Sequence, residues 1–294
     1  MRSILLMMLF FAGAIAAAPV EKVDRMQYAT SLNSMASMVM NWYGSLISNN
    51  EDVSFRPTEQ QWDDYRVQYP NNVSQIHIIS SDLIKLDSSD KYQFKVNAVI
   101  SYNNTNGQHS ESISETFIFQ VALLAKPVIK KITRYQTKQV PVSKSDLTSE
   151  FNRSYYKARE FSYAWLAYLD GVTDMQPALN TEQGLDSATY SMTIGSKKVQ
   201  GSVASTLATR KQYLAKGGGL LRSLELKQIA NKPDLFMLDL IIEWKGVNVT
   251  GKPVLAKIHQ EIEFSLQKNN MWKVQSISEQ HLLPDIAPWV GLLC

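Results

Sequence analysis

Two polar side chains interrupt apolar faces of predicted strands, and these are the first candidates for chemistry. Glu115 lies between Ile113 and Phe117 in an alternating segment, and Gln260 holds the matching place in a later one. Burial raises the pKa of a carboxyl group, so an inward Glu115 would suit general acid or base catalysis. Two alternatives remain open: a side chain at a strand end that reaches solvent, or a buried group satisfied by a neighbour's hydrogen bond.

Asp239 is a third candidate, because it lies between Leu238 and Leu240. If it pointed inward, it could act as the base of an isomerase-like site. The alternation of the strand instead places it on the face opposite Phe236 and Trp244. We therefore predict that Asp239 lies on an outer face or at an interface.

His259, Glu261 and Glu263 alternate along one strand and share a face. An imidazole and two carboxylates at this spacing could bind a metal ion, but they are also typical of the solvated side of an amphipathic strand. The sequence has no zinc-protease helix, Walker loop, nucleophile elbow or paired CxxC motif. We predict neither a metal site nor a cofactor.

An internal repeat shows which elements position these residues. Phe94 and Phe236 begin equivalent alternating segments 142 residues apart, and Ile113 and Ile258 begin the next ones 145 residues apart. A third strand follows in each copy, and helical periodicity precedes each set of strands. Two copies of the same order indicate a duplicated α+β unit. Between the helix predicted over 202–215 and a strand predicted over 220–229, three consecutive glycines predict a helix stop and hinge.

The chain of 294 residues is long enough for two domains. Residues 1–16 have the pattern of a signal peptide cleaved near Ala16, with an uncleaved membrane anchor as the alternative. We predict a first domain over 20–138, a linker over 139–144 and a second domain over 145–290. The only cysteine, Cys294, argues against a disulfide scaffold and favours a bacterial periplasmic or secreted protein. A net charge of +3 gives no reason to expect nucleic acid as a partner.

The second unit carries the sequence WLAYLDG over 165–171, and Gly201 precedes a short predicted helix. These features, and the order of helices before an antiparallel meander, resemble the nuclear-transport-factor-two-like superfamily of SnoaL-type cyclases, ketosteroid isomerase and scytalone dehydratase. The resemblance implies two cone-shaped α+β units that pack sheet against sheet as an internal pseudo-dimer. It also implies that Tyr190 and Arg210 line a pocket, where a tyrosine could donate to a carbonyl and an arginine could bind a carboxylate. Both residues would also be compatible with packing and surface roles.

No diagnostic motif accompanies the resemblance, so it supports the fold more than the activity. Our leading hypothesis is an exported, non-catalytic protein that binds a small apolar ligand or an envelope protein. One alternative is an isomerase, dehydratase or cyclase acting in a cone pocket, and another is a periplasmic accessory of a secretion system. Small-ligand binding and catalysis both require a deep cavity, and catalysis also requires polar groups that converge in it. The role as a secretion accessory requires neither.

Overall fold

The computed structural model describes residues 25–48, 73–86, 90–122, 124–141, 149–173, 175, 185–230, 232, 234–266 and 272–282. The predicted signal peptide, residues 142–144 of the predicted linker and Cys294 lie outside these residues. Within them the chain is an α+β protein of two tandem units, which confirms the predicted fold class.

The first unit consists of one long helix followed by a four-stranded antiparallel meander in the order β1-β2-β3-β4. Its elements are α1 (Arg25–Ser48), β1 (Val73–Lys85), β2 (Lys91–Asn104), β3 (Gly107–Gln120) and β4 (Val128–Gln139). Alternating burial along β2 confirms that one face of this sheet covers the core, as the period of two predicts.

The second unit repeats this order and adds a hairpin and a short helix. Its elements are α2 (Ser149–Leu169), β5 (Thr189–Ile194), β6 (Lys197–Ser202), α3 (Val203–Tyr213), β7 (Lys216–Gln228), β8 (Leu235–Val247), β9 (Pro253–Leu266) and β10 (Trp272–His281). The sheet order is β6-β5-β10-β9-β8-β7, in which β5 runs parallel to β10 and the other pairs are antiparallel. The part of the first unit that would correspond to the added hairpin, 49–72, lies outside the described residues.

The two meanders share their register as well as their order. Glu115 lies opposite Arg134 between β3 and β4, and Gln260 lies opposite Glu279 between β9 and β10. Each of these residues is 145 positions from its counterpart, so the spacing found in the sequence extends to the strand pairing. Because side chains alternate with a period of two, equivalent positions in the two units face the same way.

Helix α1 is buried along most of its length, although it carries many polar side chains. Its buried polar residues are Thr30, Ser31, Asn33, Ser34 and Ser37. A helix covered on several sides needs partners for such groups. Among the described helices, α1 included, none has the length and hydropathy required to cross a bilayer.

Several hydrogen-bond partners of α1 come from the second unit. The side-chain amide of Asn33 donates to the backbone oxygen of Gly219 at 2.7 Å. Asn41 donates to the carboxylate of Glu160 at 2.7 Å, and the Ser37 hydroxyl donates to the backbone oxygen of the same glutamate at 3.1 Å. These hydrogen bonds join α1 to α2 and to β7.

The expected association of sheet against sheet is therefore corrected to an association through helices. Met237 and Ile241, which we expected to be covered by the partner sheet, are only half-buried on the outer face of β8. Helix α2 approaches α1 closely at Gly44, where an added Cβ would lie 3.4 Å from the Cβ of Tyr156. The Tyr43 and Tyr156 rings pack edge to face across this contact with centroids 6.3 Å apart. Two apolar side chains on the outer face of β8 were not enough to predict which surfaces form the interface between the units.

Candidate functional site

The structure brings Tyr190, Arg210 and Gln260 together around Glu279 in the interior of the second unit. One carboxylate oxygen of Glu279 accepts hydrogen bonds from the Tyr190 hydroxyl at 2.6 Å and from the Gln260 amide at 2.5 Å. The Nε of Arg210 lies 3.1 Å and 3.2 Å from the two carboxylate oxygens. His281 Nε2 completes the group at 2.7 Å from Oε1. We call these five residues the Glu279 network.

Elements distant in sequence place the members of the Glu279 network. Tyr190 comes from β5, Arg210 from α3, Gln260 from β9, and Glu279 and His281 from β10. All five side chains are almost completely buried, that of His281 with 5% of its surface exposed.

Two further hydrogen bonds tie other elements to the Glu279 network. The indole of Trp165 in α2 donates to Gln260 at 3.0 Å, and the Thr206 hydroxyl of α3 donates to the backbone oxygen of Tyr190 at 3.1 Å. The network therefore fixes α3 against the sheet.

The electrostatics of the network keep Glu279 ionised. Burial alone would raise the pKa of its carboxyl group, but the positive charge of Arg210 and the hydrogen bonds from His281 and Tyr190 act more strongly and lower this pKa to about 2. Burial and the neighbouring carboxylate raise the pKa of Tyr190 well above its usual value. The carboxylate has five contacts within the protein, so its arrangement suits structural anchoring better than contact with a substrate.

Glu115 occupies the equivalent interior of the first unit. It is completely buried, and its carboxylate accepts a hydrogen bond from the Tyr43 hydroxyl at 2.6 Å. Arg134 Nε lies 3.8 Å from its other oxygen. Of the alternatives considered from the sequence, this geometry corresponds to a buried group satisfied by its neighbours. Each unit thus contains a buried carboxylate with a tyrosine and an arginine beside it.

Replacing Glu115 with glutamine should lower the free energy of unfolding by about 2 to 3 kcal/mol, because the nearly buried Arg134 loses its negative neighbour while volume is kept. Urea unfolding measures this loss. Glu111→Gln is a matched control, since Glu111 also accepts from a tyrosine, Tyr102 at 2.6 Å, but in a half-buried setting. Equal losses in the two variants would contradict the special role of the buried charge.

Asp239 lies apart from both interiors. It is on the outer face of β8, where His259 Nε2 lies 2.9 Å and Lys227 Nζ 3.8 Å from its carboxylate oxygens. Glu261 and Glu263 lie along the same face as His259. The described residues contain no group of three or more side chains arranged to hold a metal ion.

A cleft of about 700 Å³ lies between the two units. The first unit contributes Thr30 and Ser31 from the start of α1 and Leu124 from the β3–β4 connection. The second unit contributes Leu169 and Asp170 at the end of α2.

The remaining wall comes from the segment that joins α3 to β7, and from β8. This part of the lining includes Lys211, Leu214, Ala215, Lys216, Gly217 and Trp244. Arg210 immediately precedes Lys211, so the Glu279 network fixes the helix end from which this wall is built. Leucine and tryptophan side chains make much of the cleft apolar.

Asp170 is the titratable residue of the cleft wall with the most perturbed environment. One of its carboxylate oxygens accepts the backbone N–H of Gly219 at 2.9 Å, while the other is buried without a hydrogen-bond partner among the described residues. Burial raises the pKa of Asp170 to about 7, against smaller opposing effects of the Gly219 N–H, Arg210 and the nearby Trp244 indole. The indole lies close enough to act on the charge but does not form a hydrogen bond of good geometry.

Leu124 has an unusual backbone conformation in the part of the cleft wall beside Gly171, where an added Cβ would lie 3.7 Å from the Leu124 side chain. It has a φ of 53°, in the left-handed region that residues other than glycine seldom adopt, and its side chain is 52% exposed. An apolar side chain held in this way over a cleft is a feature that often accompanies a binding surface.

We predict a pH-dependent effect of Asp170→Asn. The folded protein binds the Asp170 proton more tightly than the unfolded chain, so this residue makes the free energy of unfolding fall as pH rises from about 4 to 7. Asparagine removes that fall, and the variant should be more stable than the parent by about 2 kcal/mol at pH 8, with partial exposure of the side chain reducing the effect. Paired urea titrations at pH 4.5 and 8 measure the difference, and a variant less stable than the parent at pH 8 contradicts it.

Sequence reasoning missed Glu279, Asp170 and the two cleft lysines as site residues. Glu279 could have been found, because it follows Ile277 at a spacing of two and is a polar residue in an apolar phase. Asp170 gave no such signal, because its environment depends on the packing of Gly219 in β7, which lies 49 positions away in the sequence.

Comparisons with known proteins give structural similarities only. No protein-family model matches the sequence, and no curated protein does. Among solved structures, part of the chain is similar to LinA, with 16% identity over 46% of this chain and 90% of that one, and a TM-score of 0.36. A candidate aromatic ring hydroxylase from Novosphingobium aromaticivorans has 15% identity over 43% and 87% of the two chains, with a TM-score of 0.34.

A third similar structure is an uncharacterised cystatin-like protein from Caulobacter vibrioides. It has 14% identity over 37% of this chain and 77% of that one, with a TM-score of 0.27. Each of these overlaps is shorter than half of this chain.

Proposed function

We propose that this protein binds a small, largely apolar molecule in the cleft between its two units. The observation that carries the proposal is the cleft itself, whose volume of about 700 Å³ falls within the range usual for small-molecule sites. Its walls combine the Trp244 ring and the leucines with a few polar groups, which is the usual composition of such sites. The Glu279 network in the interior of the second unit supports the cleft by fixing the end of α3, from which part of the wall is built.

The test uses a neutral apolar fluorophore, N-phenyl-1-naphthylamine, whose emission rises in an apolar site. We expect saturable binding of one molecule per chain. Ala215→Trp should weaken it at least tenfold by filling the cleft, because Ala215 lines the cleft and has an exposed side chain. Ala204→Trp is the matched control, since Ala204 is also exposed but does not line the cleft. Binding that is absent, or unaffected by Ala215→Trp, overturns the proposal.

A second candidate function is proton-transfer catalysis in the same cleft. The observation that favours it is the carboxyl group of Asp170 in the described cleft wall, whose pKa of about 7 suits a general base near neutral pH once the side chain turns an oxygen toward the substrate. The base-promoted ring opening of 5-nitrobenzisoxazole tests it: a carboxylate removes the ring C–H proton, the N–O bond breaks and a cyanophenolate is released. Turnover that rises through pH 7 and disappears in Asp170→Asn supports catalysis, and turnover no faster than in buffer argues for binding alone.

We also propose that the protein is exported. The positive start, the apolar run and the small-x-small site of residues 1–16 support secretion into a bacterial periplasm or medium. N-terminal sequencing of the protein from the exported fraction should begin at Ala17. A mature protein that retains Met1 would contradict cleavage. Co-purification of a stoichiometric envelope protein would favour the accessory role over ligand binding.

A further inference from the structure

We infer that the molecule bound in the cleft is an anionic amphiphile, with an apolar body between the units and a carboxylate or phosphate headgroup at Lys211 and Lys216. This inference rests on the proposed function, and it specifies the chemical class of the ligand. The two lysines and the accessibility of the charges around them carry it.

Lys211 and Lys216 flank the turn between α3 and β7. Lys211 lies in the last turn of α3, and Lys216 is the first residue of β7. Both line the cleft, both side chains are exposed, and neither forms an ion pair with any described residue. The end of a helix favours a lysine at the first position, but no such reason applies to the second. Two exposed lysines that line the same apolar cleft provide positive charge for an anionic headgroup.

The negative charge of the cleft is less accessible than its positive charge. Among the described residues that line it, Asp170 is the one acidic residue. One oxygen of Asp170 is bonded to the Gly219 backbone and the other is buried. A ligand entering the cleft therefore meets two exposed ammonium groups and a carboxylate turned toward the protein.

The apolar part of the cleft continues from these lysines. Leu214 lies between them in the chain, and the Trp244 ring lies beside Gly217, where a Cβ would come within 2.3 Å of it. Leu124 and Leu169 line the cleft as well. A headgroup at the lysines would leave an attached alkyl or ring system in contact with these side chains, which is the arrangement that an amphiphile needs.

The experiment displaces bound N-phenyl-1-naphthylamine from the full chain with three matched compounds, each below the concentration at which it forms micelles. Decanoate and decyl phosphate supply the two anionic headgroups, and decanol supplies the same chain without charge. We expect at least one anion to displace the probe at a concentration roughly tenfold or more below that of decanol at low salt, with the gap narrowing as salt is added. The stronger of the two anions identifies the headgroup.

The double variant Lys211→Gln/Lys216→Gln should weaken displacement by that anion roughly tenfold and leave decanol unchanged. Lys130→Gln/Lys252→Gln removes the same charge from exposed lysines outside the cleft and should change neither. Equal potency of decanol and both anions, or equal loss in the two double variants, overturns the inference while leaving the cleft as an apolar binding site. A chain that fails to bind the probe at all overturns both the inference and the proposed function.

Discussion

Replacement of Arg210 with methionine is expected to lower the free energy of unfolding by about 3 to 5 kcal/mol at pH 7. Methionine keeps much of the aliphatic volume but removes the charge that lies 3.1 Å from Glu279. The carboxylate would then remain buried with no guanidinium against it, and its polar partners among the described residues would be Tyr190, Gln260 and His281. Because Arg210 also fixes the end of α3, probe binding in the cleft should weaken in the same variant.

The pH dependence identifies the cause of this loss. In the parent protein the lowered pKa of Glu279 contributes stability that is present above about pH 4.5 and is lost as pH falls toward 2. In Arg210→Met, burial dominates and raises the pKa of Glu279, so stability falls as pH rises above 4.5. The difference between the two proteins should therefore be largest at neutral pH and shrink below pH 4.5, as followed by urea unfolding at each pH.

Two controls separate charge from packing. Adding Glu279→Gln to Arg210→Met should recover part of the loss, because no buried charge remains uncompensated. Arg222→Met breaks the exposed ion pair with Glu243, in which the two side chains are 54% and 39% exposed, and should cost less than about 1 kcal/mol. A loss at Arg210 that is independent of pH would show that shape, and not charge, is responsible.

Replacement of Gly246 with alanine is expected to cost about 3 kcal/mol and to abolish probe binding. Gly246 lies directly opposite Gly217 between β8 and β7. A Cβ at Gly246 would lie 2.2 Å from the backbone oxygen of Lys216 and 2.5 Å from the ring of Trp244. Both neighbours line the cleft, and backbone cannot move aside without changing its shape.

Gly44→Ala is the matched control, since the nearest atom to a Cβ there is at 3.4 Å, an ordinary contact. Its position inside α1 should make alanine neutral or slightly stabilising. Urea unfolding and fluorophore titration of both variants measure the comparison. Unchanged probe binding in Gly246→Ala would show that this strand pair does not shape the ligand site.

The sequence predicted the repeated architecture because strand alternation and helix periodicity are local properties. The spacing of 145 residues found in the sequence is also the spacing between the cross-strand pairs Glu115–Arg134 and Gln260–Glu279. The glycine triplet was assigned less accurately. Helix α3 does end before it, at Tyr213, but β7 begins at Lys216 and includes the glycines, so they are not a hinge.

The sequence predicted the candidate site only in part, because the contacts of the site join residues far apart in the chain. Alternation identified Glu115 and Gln260 as inward residues, and the family resemblance suggested Tyr190 and Arg210. The residue that brings three of these together, Glu279, is 69 positions from Arg210 and 89 from Tyr190. Local patterns carry no information about such pairings, which depend on how β5 and α3 pack against β10.

The sequence by itself determined the duplicated α+β unit, the strand phases and the inward polar positions, since each depends on residues within one or two elements. The tertiary structure alone decided that the units meet through α1 and α2, that Asp170 is buried beside Gly219, and that two lysines border an apolar cleft. These features depend on which surfaces fit when both units are present. Ser37 and Gly44 of α1 lie close to α2, and the cleft lies where the two units meet.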